Sequence, residues 1–207
     1  MLCVFDVNET LLDLTAMDPV IGGPELRREW FGLAIHTVLT VTATGSYRDF
    51  AGIAGDAALE VAARHGRELD LAALGEGLRH LPAHPDVEAG LTKLREAGHT
   101  VVALTNSPLA TAEAQLQNAG LAALLDRIFS AEQVGRLKPA PEPYRQVTAA
   151  YPGEPAVMIA AHDWDIAGAQ AAGLRTALLA RPGVRPLPGA PEPTCTITAL
   201  TELAGRL

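Results

Sequence analysis

The sequence predicts an α/β fold: a Rossmann-like parallel-sheet core with a helical cap inserted after the first strand. Three observations predict it. Short apolar, β-rich runs alternate with helical patterns from residue 86 onward. Residues 14–84 break that rhythm with helices alone. Polar side chains stand at or just after several of the apolar runs, where the open end of a parallel sheet would gather them.

The first run, "LCVFDV" (2–7), has the short, apolar composition of a strand buried on both faces. Within 14–84, helices are expected at 24–42, 48–65 and 70–80, with no convincing strand. "LPAHPD" (81–86) is a proline-rich joint. "DVEAGLTKLREAG" (86–98) places Val87, Leu91 and Leu94 on one helical face and ends at a glycine suited to a C-cap. "TVVALTN" (100–106) is the second strand. "PLATAEAQLQNAG" (108–120) opens on proline and closes on glycine, as helices do. "RIFSA" (127–131) is a weaker strand, followed by a helix at 141–151, a strand at 156–161, a helix at 165–173 and a strand at 176–180. "VRPLPGAPEPT" (184–194) reads as a proline-rich connection and 197–207 as a last short helix. The expected units are a core of 1–13 plus 85–207 and a cap of 14–84, seated over the crevice at the strand ends.

Composition narrows the function. Of 207 residues, 48% are hydrophobic and 19% charged, enough for a real core. The formal charge is −8 and no Lys/Arg block stands out, which argues against nucleic acid as a partner. No apolar stretch reaches the roughly 20 residues of a membrane span. Cys3 and Cys195 form no ligand pattern, and the first strand begins at residue 2, leaving no room for a leader; a reduced, cytoplasmic protein is expected. His36, His65, His80, His84 and His99 lack metal-ligand spacing and read as cap or surface residues.

Asp6 ends the first run, Thr105 and Asn106 follow the second, "GRLKP" delivers Lys138, and "HDWD" supplies His162 and Asp165. A carboxylate beside a lysine and small donors is a workable nucleophilic site: the lysine keeps the acid ionised, and the donors stabilise developing charge. The bland readings are a turn-capping Asp6, a solvated Lys138, a merely packed Tyr144, a structural His162, and core roles for Trp30 and Phe31.

Four pieces in order, "DVNET", "LTN", "KP" and "DWDIAGA", resemble the haloacid dehalogenase superfamily over nearly the whole chain. Within it, "KPAPEPY", "HDWDIAGA" and the stretch 28–50 are most similar to the L-2-haloacid dehalogenase branch. Phosphatases of the superfamily carry a second acid where this chain has Asn8, and an acid that helps bind Mg²⁺ where it has Ala161; Asp163 is at the wrong offset to substitute.

The resemblance implies a cofactor-free hydrolase. Asp6 would attack C2 of a 2-haloacid and expel halide, and water would then cleave the ester. Thr10 and Thr105 would hold Asp6 or the substrate carboxylate. Asn106 would help receive the halide. Lys138, oriented partly by Tyr144, would neutralise Asp6, and Asp165 would position Lys138 or the water. Trp30, Phe31 and His162 would line the pocket. The branch's arginine after the cap tryptophan is here Phe31; Arg27, Arg28 and Arg48 are close in sequence but not at that place. The expected partner is a small 2-substituted carboxylic acid, with a homodimer possible. The rival readings are a Mg²⁺-dependent phosphatase and a degenerate ligand-binding member.

Overall fold

The computed structural model describes residues 1–184 and 188–207. Among the described residues six parallel strands form one sheet: β1 (Leu2–Phe5), β2 (Thr100–Thr105), β3 (Arg127–Ser130), β4 (Ala156–Ala160), β5 (Arg175–Leu179) and β6 (Cys195–Ile197), in the order β3-β2-β1-β4-β5-β6. The chain fills one side of β1 and then the other. β1 therefore marks the switch point, with Phe5 paired to Ala103 on β2 and to Ile159 on β4. A crevice opens beyond the carboxyl end of β1, and Asp6 is the next residue.

The alternation of side chains along each strand divides the core. Cys3, Phe5, Val101, Ala103, Val157 and Ile159 enter one apolar cluster, and Leu2, Val4, Val102, Leu104 and Met158 the other. The second cluster is closed by α7 (Pro141–Ala150) and α8 (Asp163–Ala171), through Tyr144, Val147, Ile166 and Ala169. The first is closed by α5 (Val87–Glu96) and continues without a break into the helices that precede it.

Those helices are α1 (Asp18–Ile21), α2 (Pro24–Ala43), α3 (Phe50–Arg64) and α4 (Leu71–Arg79). Each start is chemically marked: Pro24 opens α2, and the Asp49 and Asp70 side chains accept from Gly52 N and Ala72 N. α6 (Leu109–Asn118) packs against β3 and α4. The three long helices and the interrupted rhythm agree with the sequence, whereas the four-residue α1 was not expected. The expected helix at 197–207 is corrected to strand β6 followed by a 3-10 turn at Leu200–Gly205. A three-residue edge strand behind a proline-rich stretch carries too little periodicity to be read. Part of the 184–194 connection, residues 185–187, lies outside the described residues. Among those described, no helix is long and apolar enough to cross a membrane.

Candidate active site

The loop after β1 folds back on itself. Leu11 N and Leu12 N donate to Val7 O, and Glu9 N donates to Leu12 O. This turn holds Glu9 at φ +61, a left-handed conformation that costs a side-chain-bearing residue about 1 kcal/mol or more. In return it aims three side chains in different directions. Thr10 Oγ1 donates to Asp6 Oδ2 at 2.8 Å and accepts from Ala161 N at 2.9 Å, tying the β1 and β4 loops together. Glu9 reaches His162, and Asn8 turns toward α6.

Lys138 is the centre of the site. Its ammonium is fully buried and donates to Asp6 Oδ1 (2.8 Å), Asp165 Oδ2 (2.6 Å) and Leu104 O (2.9 Å). Burial by itself would push the ammonium down, but Asp165 and Asp6 reverse that and raise it, so Lys138 stays charged. Two carboxylates share this one cation. Burial, aided by the nearby Asp6 charge, raises Asp165 despite Lys138. Burial also opposes the charge on Asp6, but Lys138 and His162 outweigh it and hold Asp6 well below the usual carboxylate range. Of the two carboxylates, Asp6 holds its charge the more firmly.

The supports of Lys138 are just as defined. Asn106 grips its backbone twice: Oδ1 accepts from Lys138 N at 2.7 Å and Nδ2 donates to Lys138 O at 3.2 Å. Tyr144 donates to Asp165 Oδ1 at 2.6 Å, and burial beside Asp165 raises its phenol well above its ordinary value, so it remains a donor. Gly168 makes this approach possible. A Cβ there would lie 2.5 Å from Pro139 Cβ and 2.7 Å from the Tyr144 hydroxyl.

His162 bridges two acids. Nδ1 lies 3.0 Å from Asp6 Oδ2, and Nε2 lies 3.0 Å from Glu9 Oε2. Burial would lower its pKa; the bonds to Asp6 and Glu9 raise it to about 10. Its ring stacks on Trp164 (5.2 Å between centroids) and faces Phe31 (5.5 Å). Glu9, with 30% of its side chain exposed, also meets the buried Arg27 at 3.6 Å.

Comparisons with known proteins bear on the family and the fold. The model of the haloacid dehalogenase-like hydrolase family matches residues 1–173. The chain belongs to that family. The (S)-2-haloacid dehalogenase 4A of Burkholderia cepacia is 30% identical over 197 residues, 89% of this chain and 84% of that one. A phosphoglycolate phosphatase of Cereibacter sphaeroides is 36% identical over 95 residues, so the match spans only 44% of the phosphatase. The L-2-haloacid dehalogenase of Xanthobacter autotrophicus with chloropropionic acid covalently bound superposes at a TM-score of 0.90 and 22% identity, covering 99% of this chain and 98% of that one. It shares the fold.

As a haloacid dehalogenase-like hydrolase, the chain gathers Asp6, Thr10, Lys138, Tyr144, His162 and Asp165 into one hydrogen-bonded cluster, with Asn106 bracing Lys138 and Phe31 against His162. Two of the expected residues have other partners here. Thr105 does not hold Asp6; its Oγ1 accepts from Ser107 N, a turn within its own loop. Trp30 is buried and spends its indole N–H on Ala54 O, joining α2 to α3. The Asn106 amide is likewise engaged with Lys138 first. Glu9, Arg27 and His84 join the site without a signal in the sequence. Glu9 stands inside a motif whose meaning rests on its neighbours, and Arg27 lies three residues before Trp30. His84 is half-buried at the joint and donates from Nε2 to Glu9 O, rather than sitting on the surface.

The residues do not fit the Mg²⁺ site of the family's phosphatases. Asn8 is committed to Ser107 and Gln115, Ala161 offers no carboxylate, and Asp163 bonds its own helix start through Trp164 N. Among the described residues no group of three His, Cys, Asp or Glu side chains is placed to hold a metal.

Proposed function

We propose that the protein is a metal-independent hydrolase that displaces halide from a 2-haloacid through an ester on Asp6, with residues 14–84 acting as the cap. The observation that carries this reading is His162, held between Asp6 and Glu9 while Asn8 is turned away. Asp6 thus has a base beside it suited to water, and no acid suited to a phosphoryl leaving group.

In the first step Asp6, kept ionised by Lys138, attacks C2; a carbon–oxygen bond forms and the carbon–halogen bond breaks. Phe31 in place of arginine makes the adjoining wall apolar, which suits a soft leaving group such as bromide. The ester removes the negative charge from Asp6. One of the two acids that lift the His162 pKa is then gone, and the imidazolium becomes a readier proton donor to solvent. Glu9, an acceptor only, keeps the remaining proton on Nε2 and leaves the Nδ1 lone pair facing the ester. There it takes a proton from the water that adds to Asp6 Cγ; the ester bond from Cγ to the substrate oxygen then breaks, and the departing alkoxide takes the remaining hydroxyl proton. Lys138 and Thr10 stabilise the returning carboxylate. The net reaction yields a 2-hydroxy acid, halide and one proton.

The test is bromide release from racemic 2-bromopropionate with and without EDTA, with mass analysis of the Asp6 peptide after a rapid quench. The expected result is EDTA-insensitive release of bromide from one enantiomer and a mass increase on that peptide. Failure to release bromide, with hydrolysis of phosphoglycolate that stops on chelation, would replace this reading by the phosphatase one that the partial match favours.

A further inference from the structure

A chain of carboxamides, buried at Gln115 and Asn8 and exposed at Asn118, links the helices of 14–84 to the loop that carries Asp6. Gln115, on α6, is 1% exposed. Its Nε2 donates to Leu78 O on the last turn of α4 at 2.8 Å and to Asn8 Oδ1 at 3.3 Å. One turn along α6, Asn118 Nδ2 donates to Arg79 O at 2.9 Å. The last carbonyls of a helix have no partner within it. Here two of them, at the end of α4, are capped by amides of a helix that belongs to the sheet layer.

The other end of the chain reaches both sides of the reaction centre. Asn8, two residues after Asp6, donates from Nδ2 to Ser107 Oγ at 3.2 Å. Ser107 follows Asn106, which grips Lys138. Gln115 Oε1 is buried without a hydrogen-bond partner, a burden of about 1–3 kcal/mol that an apolar side chain of the same shape would not carry. Its two donors are what the position supplies.

We propose that Gln115 and Asn118 form a latch that holds α4 against α6, and that Gln115 uses the latched position of α4 to set Asn8 and the loop around Asp6. Both are positioning residues for the closed site. An amide at position 8 then has a purpose of its own: it couples the cap to the nucleophile loop where the family's phosphatases place an acid. The coupling to turnover rests on the function proposed above; the latch does not.

The test separates the two. Hydrogen exchange is measured on the wild type, Gln115→Met, which keeps volume and removes both donors, and Asn118→Ala, which leaves Asn8 untouched. Exchange in the last turn of α4 is expected to quicken about fivefold or more in both variants, while β1 and β2 keep their protection. With 2-bromopropionate, KM is expected to rise about tenfold in Gln115→Met, as the closed population falls, with kcat within about threefold. Unchanged α4 exchange in both variants, or equal acceleration across the sheet, would overturn the latch. Faster α4 exchange with unchanged KM would overturn its coupling to the site. Exchange needs no substrate, so a wild type that releases no bromide would defeat the functional reading while leaving the latch to be decided by exchange alone.

Discussion

Lys138 and Asp165 meet at 2.6 Å, and neither side chain has any access to solvent. A buried pair of this kind is strongly destabilised by the loss of one partner, because the other is left as an uncompensated charge. Lys138→Met strands both Asp165 and Asp6. We expect turnover to be lost and stability to fall by about 3–5 kcal/mol, measured by urea denaturation; a variant of wild-type stability would show that the carboxylates protonate at little cost.

Glu9→Gln should act on the second step and spare the first. Bromide release in a single turnover should match the wild type, while the Asp6 ester persists. The pH dependence has a definite sign. The Glu9 anion raises the His162 pKa, so removing it should move the midpoint of ester decay to lower pH. A midpoint that stays in place would remove Glu9 from the proton-transfer step.

His162 also links stability to pH. Its pKa is about 10 in the fold against an ordinary 6.5, so the folded state binds the proton more tightly. That stabilisation is fully present below about pH 6.5 and is lost as pH rises toward 10. Urea midpoints should fall over this interval in the wild type, and the fall should be much smaller in His162→Gln. Parallel curves for the two proteins would place the titration elsewhere.

Gly168→Ala should damage the site without touching a reacting group. The added carbon would lie 2.5 Å from Pro139 Cβ and 2.8 Å from Pro139 O, so the segment carrying Lys138 must shift. Overpacking of this kind costs about 1–3 kcal/mol. A fall in Tm together with a loss of kcat is expected, and a fully active, equally stable variant would show that the contact relaxes freely.

Asn8→Asp should not create a phosphatase. Ser107 and Gln115 can both donate to a carboxylate at this position, so the new acid would be held where the amide is now. Hydrolysis of p-nitrophenyl phosphate with Mg²⁺ should stay at background, and should remain there in the Gln115→Met background because Ala161 still supplies no ligand. A clear Mg²⁺-dependent gain would show that Asn8 alone blocks that chemistry.

The sequence by itself determined the parallel sheet, where its strong strands fall along the chain, and Asp6 as the candidate nucleophile. Apolar runs such as "LCVF" and "AVMIA" are buried on both faces and are legible as short, unbroken apolar stretches, and Asp6, Lys138 and Asp165 occupy motif positions at a strand end, in a loop and in the first turn of α8. It also fixed what position 8 is not. What position 8 does was decided only by tertiary structure, because Asn8 meets Gln115 across 107 residues and Ser107 across 99. The same holds for His162 and Glu9, 153 residues apart, and for Thr105 and Trp30, whose polar atoms are claimed by Ser107 and Ala54 rather than by the site. A motif records which groups a strand end can offer. Which of them face one another depends on the backbone of the intervening loops, and a left-handed turn at Glu9 or a missing Cβ at Gly168 redirects a side chain without leaving a periodic trace in the sequence.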